Sequence, residues 1–294
     1  MKLVSYLLRD RASVGAVVDG RVIDLAPALK LPSSASDNDA PRMLALLRAG
    51  DSALGAVAAH LHRLGSTSEH PRLAEVQLLA PIPRPPKIVA IGRNYADHAA
   101  ETGVKTFEAP RIIAKLPSSV AAPGSVVPRP PGVTKLDYEI ELAVIIGRVA
   151  RRVERADALG AVAGYTILDD VSAREFQFDV SPPQTTFAKS MDGFCPMGPW
   201  MVTRDEIPDP HGLQLRTWVN GELAQDGNTR EMLFDVASLI EYISRYMTLE
   251  PGDVIATGTP AGVGAFRKPP RYLQPGDRLR LEITGIGVLE HGIG

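Results

Sequence analysis

The sequence predicts an α+β fold that is mainly β, on three observations. Glycine (26) and proline (25) are scattered through the 294 residues as punctuation between short apolar runs, the texture of strands joined by many turns. Runs with strand character outnumber stretches with helical spacing. An Asp19-Gly20 pair separates two β-branched runs, a strong short-range hairpin signal.

The elements follow in order. Residues 3–8, 13–18 and 21–25 read as strands. Residues 41–47 form a helical stretch with Leu44, Leu46 and Leu47 on an apolar stripe, and the alanine-rich 51–64 a second. After a polar turn at 66–71, residues 79–86 carry four prolines in eight positions, an extended and stiff segment suited to a linker. A boundary near residue 80 is therefore expected, with a small N-terminal domain at 1–79 and a larger domain at 80–294. Beyond it, strands are expected at 88–91, 136–146, 164–168, 213–219, 254–257 and 279–283. Helices are expected at 95–102, at 171–176 (short) and at 234–247. No internal repeat is visible.

Composition excludes several function classes. Thirty-two basic and 34 acidic residues give a formal charge of −2, without the basic excess of a nucleic-acid or anionic-membrane binder. Apolar residues are 45% and charged residues 22%, as in a globular protein. The single cysteine, Cys195, rules out an intrachain disulfide and a cysteine zinc cluster. Between Phe194 and Pro196, it reads as a small buried side chain. Apolar runs such as 142–146 fall far short of the ~20 residues of a membrane span, and Arg9, Asp10 and Arg11 interrupt any signal-peptide core. A cytoplasmic enzyme is the expectation. The glycine-rich 250–264 lacks the Gly-Lys-Ser/Thr of a phosphate-binding loop and the third glycine of a dinucleotide fingerprint. It reads either as a tight turn or as a loop whose Thr259 hydroxyl and backbone amides hold a carboxylate or ketone oxygen. No Gly-x-Ser-x-Gly elbow occurs, which counts against a serine hydrolase. His60 and His62, two apart on a helix, do not face one ligand.

Three segments carry candidate chemistry. In 137–147, strand alternation puts Tyr138, Ile140, Leu142, Val144 and Ile146 on one face and Asp137, Glu139, Glu141, Ala143 and Ile145 on the other. Glu139 and Glu141 thus project together, about 6.6 Å apart along the strand. They are either wet residues on a strand edge or a pair whose burial calls for a cation with oxygen ligands. Asp169-Asp170 ends the next strand, and serves either as a helix cap or as a third carboxylate. Glu139, Glu141 and one of these aspartates would suit Mg²⁺ or Mn²⁺. In 91–103, Asn94 reads as a helix N-cap, Asp97 as its capping-box partner and Gly103 as the stop. His98 and Glu101 share a face at i,i+3. They are an exposed pair or a general base whose tautomer the carboxylate fixes.

The order of these motifs is more specific than any one of them. Gly92-Arg-Asn-Tyr-Ala-Asp-His-Ala-Ala-Glu101, Asp137-Tyr-Glu-Ile-Glu-Leu142, Gly164-Tyr-Thr-Ile-Leu-Asp-Asp-Val-Ser-Ala-Arg174, Ala188-Lys-Ser-Met-Asp-Gly-Phe-Cys-Pro-Met-Gly-Pro199 and Thr257-Gly-Thr-Pro-Ala-Gly-Val-Gly264 resemble the fumarylacetoacetate hydrolase family. The likeness runs from about residue 80 to the C-terminus, and residues 1–79 resemble that family's small cap domain. The resemblance implies a β-rich catalytic domain in a homodimer, holding Mg²⁺ or Mn²⁺ on Glu139, Glu141 and Asp170. Lys189 would lie beside the metal-bound substrate, His98 and Glu101 would activate water, and Arg93, Arg174, Gln177 and Thr259 would grip substrate oxygens. Asp169 stands where the family usually has asparagine, which leaves open which aspartate ligates. The implied substrate is a small 2-oxo acid or β-diketone. Hydrolysis of a C–C bond in an acylpyruvate-type substrate is the first expectation. Decarboxylation or keto–enol tautomerisation of oxaloacetate or a related 2-oxo dicarboxylic acid is the alternative. A catalytically silent metal-binding homologue is a third, against which the presence of His98, Glu101 and Lys189 argues.

Overall fold

The computed structural model describes residues 1–27, 29, 42–103 and 106–294; Pro41, the first residue of the expected helix 41–47, lies outside them. The chain begins with strands β1 (Lys2–Leu8), β2 (Arg11–Val18) and β3 (Arg21–Asp24), helices α1 (Arg42–Arg48) and α2 (Gly50–His62), and the short β4 (Gln77–Leu78). Then come β5 (Ile88–Gly92), α3 (Ala96–Thr102), β6 (Arg111–Lys115), β7 (Val120–Ala121), β8 (Val126–Val127), β9 (Leu136–Asp137) and β10 (Ile140–Ile146). Next are α4 (Arg155–Ala158), β11 (Val162–Asp169), β12 (Ser172–Ala173), α5 (Thr185–Ala188) and β13 (Cys195–Thr203). The remainder comprises β14 (Gln214–Val219), β15 (Glu222–Asn228), α6 (Val236–Tyr246), β16 (Val254–Ala256), β17 (Arg278–Ile283) and β18 (Gly287–Ile293).

The large sheet runs β3-β2-β1-β13-β11-β10-β16-β5-β6, with β4 on β1 and β7 on β13. A five-stranded sheet, β15-β14-β17-β18-β8, and the short pair β12-β9 complete it. The α+β, mainly β expectation is met. Asp19 (φ 48°) and Gly20 (φ 71°) both take left-handed backbone, the geometry of a two-residue hairpin turn. The first hairpin joins the large sheet through β1, where Leu3 lies opposite Met201 of β13. The proline-rich 79–86 packs down beside it: Ala80 and Ile82 are buried with Leu3, and the Ser5 hydroxyl donates to the Pro81 carbonyl at 2.9 Å.

Strand β10 lies at the centre, and all seven of its residues are buried. Leu142, Val144 and Ile146 enter a core with Leu239, Ile240 and Ile243 of α6; Ala143 and Ile145 enter a second core with Leu3, Met43 and Met197. Burying such side chains is worth about 1.5–3 kcal/mol each, so both faces resist a one-residue slip. That register keeps Glu139 and Glu141 on one side.

Several expectations are corrected. The strand expected at 136–146 breaks at 138–139, where Asp137 turns back to accept from the Tyr138 amide and the Glu139 amide donates to Asp169. The short helix expected at 171–176 does not form. Ser172 pairs with Asp137 across β12-β9, the Arg174 amide donates to the Lys135 carbonyl, and a wide π-type turn follows at Glu175–Asp179. Asn94 is not the cap of α3; Tyr95 occupies that position without a side-chain bond. The Asn94 amide group donates to the carbonyls of Phe234 and Thr257 and accepts from the Phe234 amide, tying three segments together. Strand β13 was not anticipated, because Pro196, Gly198 and Pro199 argue against a central strand.

Cys195 is fully buried, and burial pushes its thiol up to about 12. The native protein should therefore resist a thiol-reactive dye and react fully only after denaturation; rapid reaction in native buffer would contradict this placement.

Candidate active site

The triad arises from one pairing. Strands β10 and β11 are antiparallel neighbours with Ile140 opposite Asp169. Glu139 and Glu141 therefore flank the position where β11 ends, and Asp170, the next residue, turns toward them. Their carboxylate oxygens lie within 4.8 Å of one another, and all three residues are buried. Asp169 points elsewhere: one oxygen accepts from the Glu139 amide at 2.8 Å and the other lies 2.7 Å from His291 Nε2. Asp170 thus lies in the cluster, and Asp169 stands behind it, held by its hydrogen bonds.

Three buried cations serve these acids. Lys189 Nζ reaches Glu139 at 2.8 Å, Asp170 at 2.7 Å and the Ser172 hydroxyl at 2.7 Å. Lys115 Nζ donates to Asp170 at 2.8 Å and to the Lys189 carbonyl. Arg174 pairs with Asp137 through Nε at 2.8 Å and with Glu139 through Nη2 at 2.8 Å, and donates to Gln177. Burial alone would raise Glu139; Lys189 and Arg174 outweigh it and hold that carboxyl well below its ordinary range. Glu141 is different. Burial, then the charges of Asp170 and Glu139, push it well above the ordinary range. Its one hydrogen bond is from the Gly258 amide at 2.8 Å, and it pairs with no cation among the described residues.

Five buried carboxylates (Asp137, Glu139, Glu141, Asp169, Asp170) thus face Lys115, Arg174 and Lys189, which leaves two negative charges uncompensated before His291 is counted. A divalent cation would offset that charge, and the all-oxygen donor set of Glu139, Glu141 and Asp170 fits Mg²⁺ or Mn²⁺.

Helix α3 closes one wall by docking on the glycine-rich loop. Asp97 accepts from the Ala261 amide at 3.1 Å and Glu101 from the Gly262 amide at 3.0 Å. The other Glu101 oxygen lies 3.0 Å from His98 Nδ1, which leaves Nε2 for the pocket. Gly258 (φ 98°) is required where the loop passes α3, because a Cβ there would sit 2.8 Å from Asn94 Cβ. Thr259 accepts from Gln225 at 2.7 Å. The structure brings Arg93, His98, Glu139, Glu141, Asp170, Arg174, Gln177, Lys189 and Thr259 to the lining of one pocket. Glu101 is not on the lining; it stands behind His98.

Sequence reasoning missed Arg111, Phe178 and Phe266, which also line the pocket, and Lys115, Asp137 and Gln225, which brace it. Strand alternation in Arg111-Ile-Ile-Ala-Lys115 was the available signal: Arg111, Ile113 and Lys115 share a face.

Comparison with known proteins places the chain in a family. The family model described as fumarylacetoacetate (FAA) hydrolase C-terminal matches residues 87–293. The mitochondrial oxaloacetate tautomerase FAHD2A of Homo sapiens is 45% identical over 216 residues, 74% of this chain and 69% of that protein. A solved fumarylacetoacetate hydrolase from Exiguobacterium antarcticum superposes with a TM-score of 0.83 at 40% identity, covering 100% of this chain and 99% of its own. The maleylpyruvate hydrolase of Sphingobium sp. SYK-6, solved with manganese(II) and pyruvate, superposes at 0.81 with 33% identity, covering 100% and 98%.

Because the folded state disfavours ionised Glu141, the chelated protein should lose stability as pH rises above the ordinary carboxylate range, by up to about 1.4 kcal/mol per unit. Glu141→Gln should flatten that slope in urea titrations; an unaltered slope would remove Glu141 as its source.

Proposed function

The chain belongs to the fumarylacetoacetate hydrolase family, and within it we propose a divalent-cation-dependent tautomerase that interconverts the enol and keto forms of a 2-oxo acid. The carrying observation is the buried Glu139–Glu141–Asp170 cluster with its uncompensated charge. Glu139, Glu141 and Asp170 would hold Mg²⁺ or Mn²⁺, which would supply Lewis acidity toward a 2-oxo acid.

The remaining roles fall to the chain's own groups. Lys189 keeps its proton, since Asp170 and Glu139 outweigh the effect of burial, and it sets a second positive charge beside the developing oxyanion. His98 Nε2 takes the proton from C3 of the keto form and returns it to the oxygen on C2, so that a C–H bond is exchanged for an O–H bond and no atom is lost. Glu101, itself held by Gly262, keeps the ring in register. Arg174, Gln177 and Thr259 orient substrate oxygens. The tautomerase name of the human relative supports this reading. The same His98–Glu101 pair could instead direct a water at a distal carbonyl, so C–C bond hydrolysis is the second reading, favoured by the maleylpyruvate hydrolase neighbour.

With Mg²⁺ present, the wild type should accelerate loss of the enol of oxaloacetate. Glu139→Gln should lose both this activity and Mn²⁺ binding measured by electron paramagnetic resonance. His98→Asn should keep Mn²⁺ and lose about 10²–10⁴-fold in rate. Equal turnover by wild type and Glu139→Gln would remove the metal assignment. Faster cleavage of an acylpyruvate than enol loss would put hydrolysis in its place.

A further inference from the structure

The segment that carries Glu139 lies outside the regular strand ladder. Strand β10 begins at Ile140, whose partner Asp169 is the last residue of β11. Across the break before it, three successive amides donate to side-chain oxygens instead. Tyr138 donates to Asp137 at 2.9 Å, Glu139 to Asp169 at 2.8 Å and Ile140 to Gln225 at 3.1 Å. The Glu139 carbonyl in turn accepts from the Asp170 amide at 2.9 Å. The backbone of one member of the triad is therefore held by the residue next to another.

Each of these three acceptors has its own support. Arg174 Nε donates to Asp137 at 2.8 Å, and the Thr217 hydroxyl donates to the Gln225 side-chain oxygen at 3.1 Å. For Asp169 the support is His291 of β18, whose Nε2 lies 2.7 Å from the second carboxylate oxygen. Among the described residues no other side chain bonds Asp169, and both side chains are wholly enclosed. A carboxylate only accepts, so the ring donates through Nε2. The five-stranded sheet thus reaches through Asp169 to the amide of Glu139. Without that donor, Asp169 would carry an unpaired oxygen in the dry interior, and its hold on Glu139 would loosen.

We infer that His291 is a positioning residue for the cation site: it fixes Asp169, and Asp169 fixes the backbone of Glu139 beside Glu141 and Asp170. This rests on the reading of that triad as a seat for Mg²⁺ or Mn²⁺. Groups that hydrogen-bond behind a set of ligands orient it, and losing one costs about 10–100-fold in metal affinity.

Mn²⁺ titration of the metal-free protein, followed by electron paramagnetic resonance, tests this without any turnover. His291→Leu should weaken Mn²⁺ binding about 10–100-fold. His291→Gln, whose amide nitrogen can take the place of Nε2, should restore most of the affinity. Asp169→Asn should also keep it, because its oxygen still accepts from Glu139 and its amide can donate to the other ring tautomer. Combining Asp169→Asn with His291→Leu removes the stranded carboxylate, which guards against a failure of His291→Leu to fold. That double variant should show the loss expected of His291→Leu. Urea titration of each variant reads stability separately. Lower stability with unchanged Mn²⁺ affinity in the Leu variants would make His291 merely structural and overturn the inference alone. So would a loss in Asp169→Asn as large as that in His291→Leu, which would assign the effect to charge. If wild type bound no Mn²⁺, the reading of the triad would fall, and this inference with it.

Discussion

The site depends on one constraint: the antiparallel register of β10 against β11 gathers like charges in a place where water cannot screen them. Ile140 faces Asp169, so Glu139, Glu141 and Asp170 must converge. Apolar packing on both faces of β10 holds that register against the repulsion. Charges of one sign at such distances raise the free energy of the fold unless opposite charge accompanies them. Lys115, Arg174 and Lys189 pair with three of the five acids, Asp137, Glu139 and Asp170; Asp169 lies against His291, and Glu141 is left with a backbone amide. The sheet therefore carries a concentration of negative charge that a divalent cation would offset.

The second wall of the pocket shows how a short helix is held in place. Helix α3 spans Ala96–Thr102, too short to be stable by itself. Asn94 ties its start to Phe234 and Thr257, while Asp97 and Glu101 take amides of the glycine-rich loop. Asp97 and Glu101 satisfy amides of the loop, and Asn94 satisfies backbone groups of Phe234 and Thr257. The consequence is that His98 is held by contacts made by its neighbours, and one carboxylate, Glu101, links the ring to the loop.

Membership of the fumarylacetoacetate hydrolase family sets the class of chemistry but leaves the reaction open, because relatives bear the names of tautomerases and hydrolases alike. Arg93 and Arg111, both half-buried, line the same pocket. No helix among the described residues is long and apolar enough to cross a membrane.

The amino-acid sequence by itself determined the local matters. Alternation in 137–147 put Glu139 and Glu141 on one side, the spacing of His98 and Glu101 made them neighbours, and Asp19-Gly20 made a hairpin. These depend on contacts a few residues apart, where strand and helix periodicity suffice. Tertiary structure decided the rest. Asp170 rather than Asp169 joins the cluster because His291, 122 residues away, holds Asp169 back. Asn94 bridges instead of capping because its partners, Phe234 and Thr257, lie 140 and 163 residues away. Arg111 turns inward because Gly92 lies opposite it in another strand. Local periodicity carries no information about such partners, since they meet only when distant strands pair.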